Sequence, residues 1–366
     1  MSPGKTENRV CVYCSEAKEF QRGKRGGDFN SEHVVPEAFA SVRNSLTLIG
    51  VVCRDCNGEL GRTIDQTLTR GTVEGLRRFL EKQKPIEKIS ELDRRKLNVS
   101  LEKASDRSLK DAYVNLTHEG GELKQQYAVQ LVIKLKDSEN WLTVQRSDFA
   151  KFIATNPNVD LSEFKILGPS PGTEEFFEEM QAVWPGIKLV GDLEPTDHIS
   201  DLVADYGPEE QRALAKISFN YFCYITQRSP ELALAGQFDP IRKFIRYGQP
   251  PGWQAVLPRE EPIVNGDTIT RRRTNGHLVT FDLEKSKENG GKVEAVSLVS
   301  IFNDLTWRVV LQPDVQLSLG PSIHLWDHEE NECVKLSAKK VVPQQNRRRI
   351  DTSKIIRALS LQIQSF

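Results

Sequence analysis

Cys11-Val12-Tyr13-Cys14, Ser31-Glu32-His33-Val34-Val35-Pro36 and Cys53-Arg54-Asp55-Cys56-Asn57 lie within one stretch, residues 11–65, that holds nearly every side chain whose spacing implies chemistry. Two C-x-x-C pairs a few tens of residues apart can bring four thiolates around one ion, and tetrahedral sulfur coordination is what structural Zn²⁺ favours. Disulfides or a redox pair are the alternatives. The opening residues, MSPGKTENRV, lack the apolar core of a signal peptide, so a cytoplasmic chain with reduced thiols is expected. Cys11, Cys14, Cys53 and Cys56 are therefore read as zinc ligands. A closed Cys₄ site leaves no position for water or substrate, so its ion folds the segment and catalysis has to come from other residues.

Between the two pairs, Glu32 and His33 precede a short apolar run, Val34-Val35, that ends at Pro36 and reads as a β-strand. A neutral imidazole can take a proton from water near pH 7, and the adjacent carboxylate is a hard oxygen ligand of the kind Mg²⁺ or Mn²⁺ accepts. Taken alone, an acid–histidine dipeptide is as easily a pair of packed or solvated strand residues. Asn57 stands either as a metal ligand or as a helix N-cap, and Asp65, two helical turns further on, as a ligand, a supporting partner or a solvated carboxylate.

The order C-x-x-C, acid-His-strand-Pro, C-x-x-C-Asn and then a helix resembles the HNH endonuclease family over residues 9 to about 70. The resemblance implies a ββα-metal fold, in which two antiparallel strands and a helix hold one divalent cation, Mg²⁺ or Mn²⁺. It implies His33 as general base, Glu32 in place of the usual metal-binding aspartate, and Asn57 projecting from the helix toward the metal. The expected activity is phosphodiester hydrolysis of nucleic acid, DNA ahead of RNA. One such site cuts one strand, so a homodimer is one route to double-strand breaks. The rival expectation is a non-catalytic zinc-knuckle DNA-binding module joined to a sensor or partner-binding region.

A chain of 366 residues exceeds one compact core, so two or three domains are expected. Residues 81–110 are dense in charge and poor in large apolar side chains, which places a boundary near residue 90. The expected class is α+β: residues 1–90 as a zinc-stapled HNH-like module, and 91–366 as a larger mixed α+β region with a further split near 200–250. Fifty Lys+Arg against 51 Asp+Glu exclude attraction of nucleic acid by overall charge. Local patches remain: Arg22, Lys24 and Arg25 in a glycine-rich loop, Arg271-Arg272-Arg273, and Arg347-Arg348-Arg349 in a basic C-terminal end. No apolar run approaches a membrane span, so no membrane partner is expected.

Apolar periodicity predicts helices from Asn57 to about Lys84, broken near Gly71, and from Pro208 to about Arg228. A third helix should have Asp239 as N-cap, Pro240 at its first position and Gly248 as its stop, and could present Arg242, Lys243 and Arg246 to a phosphate backbone. A further helix is expected around Glu174–Met180, and strands at Tyr113, Tyr127, Trp141, His277, Val293, Leu305 and Val315. Cys223 and Cys333 read as buried thiols, and His324 and His328 flanking Asp327 as a weak candidate for a second metal site.

Overall fold

The computed structural model describes residues 6–21, 27–80, 83–85, 87–88, 97–100, 112–119, 122–135, 141–157, 161–168, 170, 172–185, 201–204, 206–259, 276–286, 289–302 and 305–336. They form two compact units: residues up to Arg70 and from Tyr206 onward make one, and residues from Gly71 to 204 the other. The boundary expected near residue 90 therefore falls at Arg70/Gly71 instead. The charge-rich stretch after residue 80 marks a change of composition, whereas the unit is closed by distant residues that share its core.

The first unit opens with the hairpin β1 (Thr6–Val10) and β2 (Ala17–Gln21). The antiparallel pair β3 (Phe29–His33) and β4 (Thr47–Cys53) follows, then helix α1 (Arg54–Leu60), a π-helical turn (Gly61–Asp65) and α2 (Gln66–Arg70). The strand carrying the acid–histidine pair lies upstream of the run the apolar pattern suggested. It ends at His33, and Val34 and Val35 leave it fully buried. Between Phe29 and Ser31 the register shifts, so Ser31 faces Ile49 while Phe29 faces Cys53. Gly50 makes this irregularity possible: its φ is +68°, and a Cβ there would lie 2.8 Å from the Phe20 ring. Any L side chain would be strained and would also clash.

The second unit holds α3 (Val73–Leu80), β5 (Leu97–Ser100), the hairpin β6 (Val114–Glu119) and β7 (Glu122–Tyr127), then β8 (Gln130–Leu135), β9 (Trp141–Gln145), α4 (Phe149–Thr155), β10 (Leu161–Leu167), α5 (Gly172–Val183) and β11 (Asp201–Ala204). β8 is the centre of a three-stranded antiparallel sheet between β10 and β9, and β11 pairs with β5. Leu131, Ile133, Val144 and Ile166 from that sheet pack on Phe149, Phe176 and Met180 from α4 and α5.

The chain then returns to the first unit through α6 (Pro208–Ile225), a short α7 (Glu231–Leu234) and α8 (Asp239–Tyr247). Phe238, not Asp239, is the N-cap of α8, and Gly248 ends it at φ 72° as the sequence indicates. Six antiparallel strands follow: β12 (Val256–Arg259), β13 (His277–Lys285), β14 (Val293–Ile301), β15 (Leu305–Gln312), β16 (Ser322–Asp327) and β17 (Glu332–Lys335), ordered β12-β15-β14-β13-β16-β17. The strand expected at Val315 begins instead at Ser322.

α6 is buried from Ala213 to Cys223, which makes it the hub of the unit. A single apolar core joins Leu60, Ile64 and Leu68 of the helical segment, Leu214, Ile217 and Phe222 of α6, and Phe281, Val299 and Val309 of the sheet. Burial of this kind removes water from every face of α6, so any polar group on it has to find a partner within the protein.

Candidate functional site

The four predicted zinc ligands come together. One sulfur from each of Cys11, Cys14, Cys53 and Cys56 lies within 4.8 Å of the others, and Cys14 and Cys53 approach to 3.9 Å. Cys11 and Cys14 sit in the turn between β1 and β2, Cys53 ends β4, and Cys56 lies in the first turn of α1. The turn is shaped by Ser15 at φ 59° and by its N–H, which donates to the Cys11 carbonyl at 2.9 Å. The Cys53 N–H donates to the Cys11 sulfur at 3.3 Å.

The Cys56 thiol and the amides of Cys14, Cys53 and Tyr13 hold Cys11 down to about 4, against the effect of burial. Burial pushes Cys14 up to about 11. Each ligand must be deprotonated to bind a cation, and four cysteine sulfurs within 4.8 Å of one another are the donor set that tetrahedral sulfur coordination requires. The donor set therefore fits Zn²⁺.

A second cluster adjoins this one. Glu32, only 4% exposed, projects from β3 toward α6, and Asp65 approaches from the end of the π-helical turn. Between them stands the Lys216 ammonium, 2% exposed, with Nζ 2.6 Å from Glu32 Oε1 and 2.6 Å from Asp65 Oδ2. Asn220, one helical turn after Lys216, donates from Nδ2 to Glu32 Oε1 at 2.9 Å and to the His33 carbonyl at 3.2 Å. Its Oδ1 accepts the Tyr13 hydroxyl at 2.7 Å, which ties this network to the first cysteine turn. Burial alone would push Lys216 down, but Asp65 and Glu32 together raise it, so it stays an ammonium. Burial pushes Glu32 above the usual carboxylate range, opposed chiefly by the Lys216 charge.

The sequence pointed to Glu32 and Asp65 as ligands of a divalent cation, and the fold does bring them together. The positive charge between them, however, is covalently part of the chain. With Lys216 in place, Mg²⁺ or Mn²⁺ does not fit the position bridging the two carboxylates. The π-helical turn explains the aim of Asp65: one i→i+5 bond, from Gln66 N–H to the Gly61 carbonyl, widens the helix just before α2.

His33 closes β3 opposite Thr47. The backbone on both sides of it is pinned, since Asn220 takes its carbonyl and the Val34 N–H donates to Leu46 O at 2.9 Å. Its ring is half-buried, and Nδ1 is enclosed without a hydrogen-bond partner. Asp65 Oδ1 is likewise buried and unpartnered. Asn57 is no N-cap, because α1 starts at Arg54 with Cys53 as its cap. Its Nδ2 donates to Asn30 Oδ1 and to Ser31 O, both at 3.0 Å, so it clamps α1 onto β3 two residues before His33.

Lys216, Asn220 and Tyr13 were missed from sequence. A signal for two of them was present: Lys216 and Asn220 are polar residues four apart in Ala213–Cys223, a run that apart from them and Ser218 is too apolar to have a wet face. Arg242 also differs from expectation. It is buried, donates to Val12 O at 3.3 Å and pairs with Asp239, so it supports the cysteine turn from within. His324 and His328 share no metal site: the described residues hold one group of three or more metal-ligating side chains, the four cysteines. His324 Nδ1 meets the Tyr221 hydroxyl at 2.7 Å, and burial lowers it to about 4. His328 Nε2 meets His277 Nε2 at 2.8 Å. Cys223 and Cys333 are buried thiols, as expected. Arg22, Lys24, Arg25, Arg271–Arg273 and Arg347–Arg349 lie outside the described residues.

No family model, curated protein or solved structure matches the chain. Among the described residues, no helix is long and apolar enough to cross a membrane.

Proposed function

We propose that the protein is an endonuclease of the HNH type, cleaving phosphodiester bonds of DNA with His33 as general base. The observation that carries this reading is the hairpin of β3 and β4 followed by α1, stapled by four cysteines, with His33 fixed at the end of β3. Asn57 locks that helix to that strand, which is the rigid support a catalytic side chain needs. In this reading His33 takes a proton from water. The resulting hydroxide attacks phosphorus in line, and the P–O bond opposite breaks to leave an alkoxide that is protonated from solvent. The four thiolates would hold Zn²⁺, which supplies folding energy and no chemistry. No step is assigned to Mg²⁺ or Mn²⁺ between Glu32 and Asp65, because Lys216 holds that position. The basic sequences at Arg22, Lys24 and Arg25 and at Arg347–Arg349 are the proposed phosphate contacts.

The test is nicking of supercoiled plasmid by wild type and His33→Ala. Loss of a general base should slow cleavage by about 10² to 10⁴ with zinc content and melting temperature unchanged. Equal cleavage by both proteins, or none by wild type with any divalent cation, would refute the reading. The second reading, a non-catalytic zinc-knuckle DNA-binding module, is favoured by one observation: Glu32 is committed to the Lys216–Asn220 network. It predicts DNA binding without nicking.

A further inference from the structure

Among the described residues of the first unit, groups that could bind a cation gather at the four cysteines, at the pair Glu32 and Asp65, and at the histidines His277 and His328. The histidine pair is explained by internal bonding. His277 Nδ1 accepts the Phe302 N–H at 3.0 Å, so its Nε2 carries the hydrogen and points at Phe39 O and His328 Nε2, both at 2.8 Å. The carboxylate pair is different, since its partner is a lysine reaching in from the opposite side of the core.

We infer that Lys216 is a built-in cation: its ammonium takes the position of a divalent ion between Glu32 and Asp65, and the chain assembles this site without Mg²⁺ or Mn²⁺. Two carboxylates from separate elements approach a single positive centre at 2.6 Å each. Such convergence of like charges is unfavourable without a cation between them. Lys216 and its chain neighbours Ala215 and Ile217 are all buried in α6, so the charge is delivered by an element that the core already holds rigid. Asn220 then fixes the Glu32 oxygen from one turn further along, as a neighbour does for a metal-bound carboxylate. Asp65 Oδ1 is left over and buried, which is expected where one monovalent charge meets two carboxylates.

The inference concerns the same residues as the proposed nuclease site, but its test needs no cleavage. Mn²⁺ binding is measured from the free-ion electron paramagnetic resonance signal for wild type, Glu32→Gln, Lys216→Met and the Lys216→Met/Glu32→Gln double variant, each with zinc bound. Wild type and Glu32→Gln should bind Mn²⁺ equally weakly. Lys216→Met should gain one Mn²⁺ per chain with affinity raised roughly tenfold or more. The double variant should lose that gain, and Mn²⁺ should raise the melting temperature of Lys216→Met alone. A wild-type Mn²⁺ site abolished by Glu32→Gln would overturn the inference, as would a folded Lys216→Met with no new site. Should Lys216→Met fail to fold, comparison of wild type with Glu32→Gln still decides. A wild type that nicks no DNA yet shows the predicted Mn²⁺ pattern would defeat the nuclease reading and leave this inference standing.

Discussion

The two clusters of the first unit differ in where their positive charge comes from. In the cysteine turn, four sulfurs lie within 4.8 Å of one another, a donor set that could hold a metal ion such as Zn²⁺. Beside it, two carboxylates surround an ammonium supplied by α6. Both clusters join the β3–β4 hairpin to other elements, and both bury groups that repel one another when ionised. With zinc bound at the first, its stability would be set by metal and by protons. The second is complete once the chain has folded.

The largest effect that would separate them is at the cysteines. Cys53→Ser should lose zinc and cooperative unfolding of the first unit, because structural zinc sites of this kind are worth about 10–16 kcal/mol. Elemental analysis and thermal unfolding measure both, and wild-type protein without zinc would remove the basis of the comparison.

Next in size is Lys216→Met, which leaves two buried carboxylates uncompensated and should cost about 3–5 kcal/mol in denaturant unfolding without touching zinc content. Lys216→Met combined with Glu32→Gln should recover part of that loss, because one of the two charges is gone. Equal stability of Lys216→Met and wild type would mean the ammonium is dispensable.

Smaller, but of opposite sign in the two clusters, is the effect of pH. Acid should release zinc, since protons compete for the thiolates. The ammonium cluster should fail in base. Lys216 titrates above its ordinary value in the folded protein, so its stabilisation is complete below about 10.5 and is lost as pH rises through the folded value. An alkaline loss of stability seen in wild type but reduced in Lys216→Met is the expected pattern. Identical alkaline profiles would argue against a charged Lys216.

Much of the cysteine centre was legible in the sequence, because a C-x-x-C turn is a local device and two of them need only a hairpin between to converge. The helices were legible for a similar reason: Leu60, Ile64 and Leu68 repeat at the helical period and are all buried. The ion cluster was half legible. Glu32 and Asp65 carry a recognisable order, but Lys216 lies 151 residues beyond Asp65, and no local pattern sets which face of α6 meets which strand. The domain boundary was obscured for the same reason, since composition reports where a chain is polar and not which distant segment returns to complete a core. Asn57 stood open between metal ligand and helix cap; the cap alternative fails because the helix starts earlier, with Cys53 in that position.

The account turns on what stands between Glu32 and Asp65. Anomalous diffraction from crystals of zinc-replete protein grown in excess Mn²⁺ would locate both ions at once. The account predicts a zinc peak among Cys11, Cys14, Cys53 and Cys56, continuous density for Lys216 between the two carboxylates, and no manganese there. A manganese peak bridging Glu32 and Asp65, with Lys216 swung aside, would contradict it.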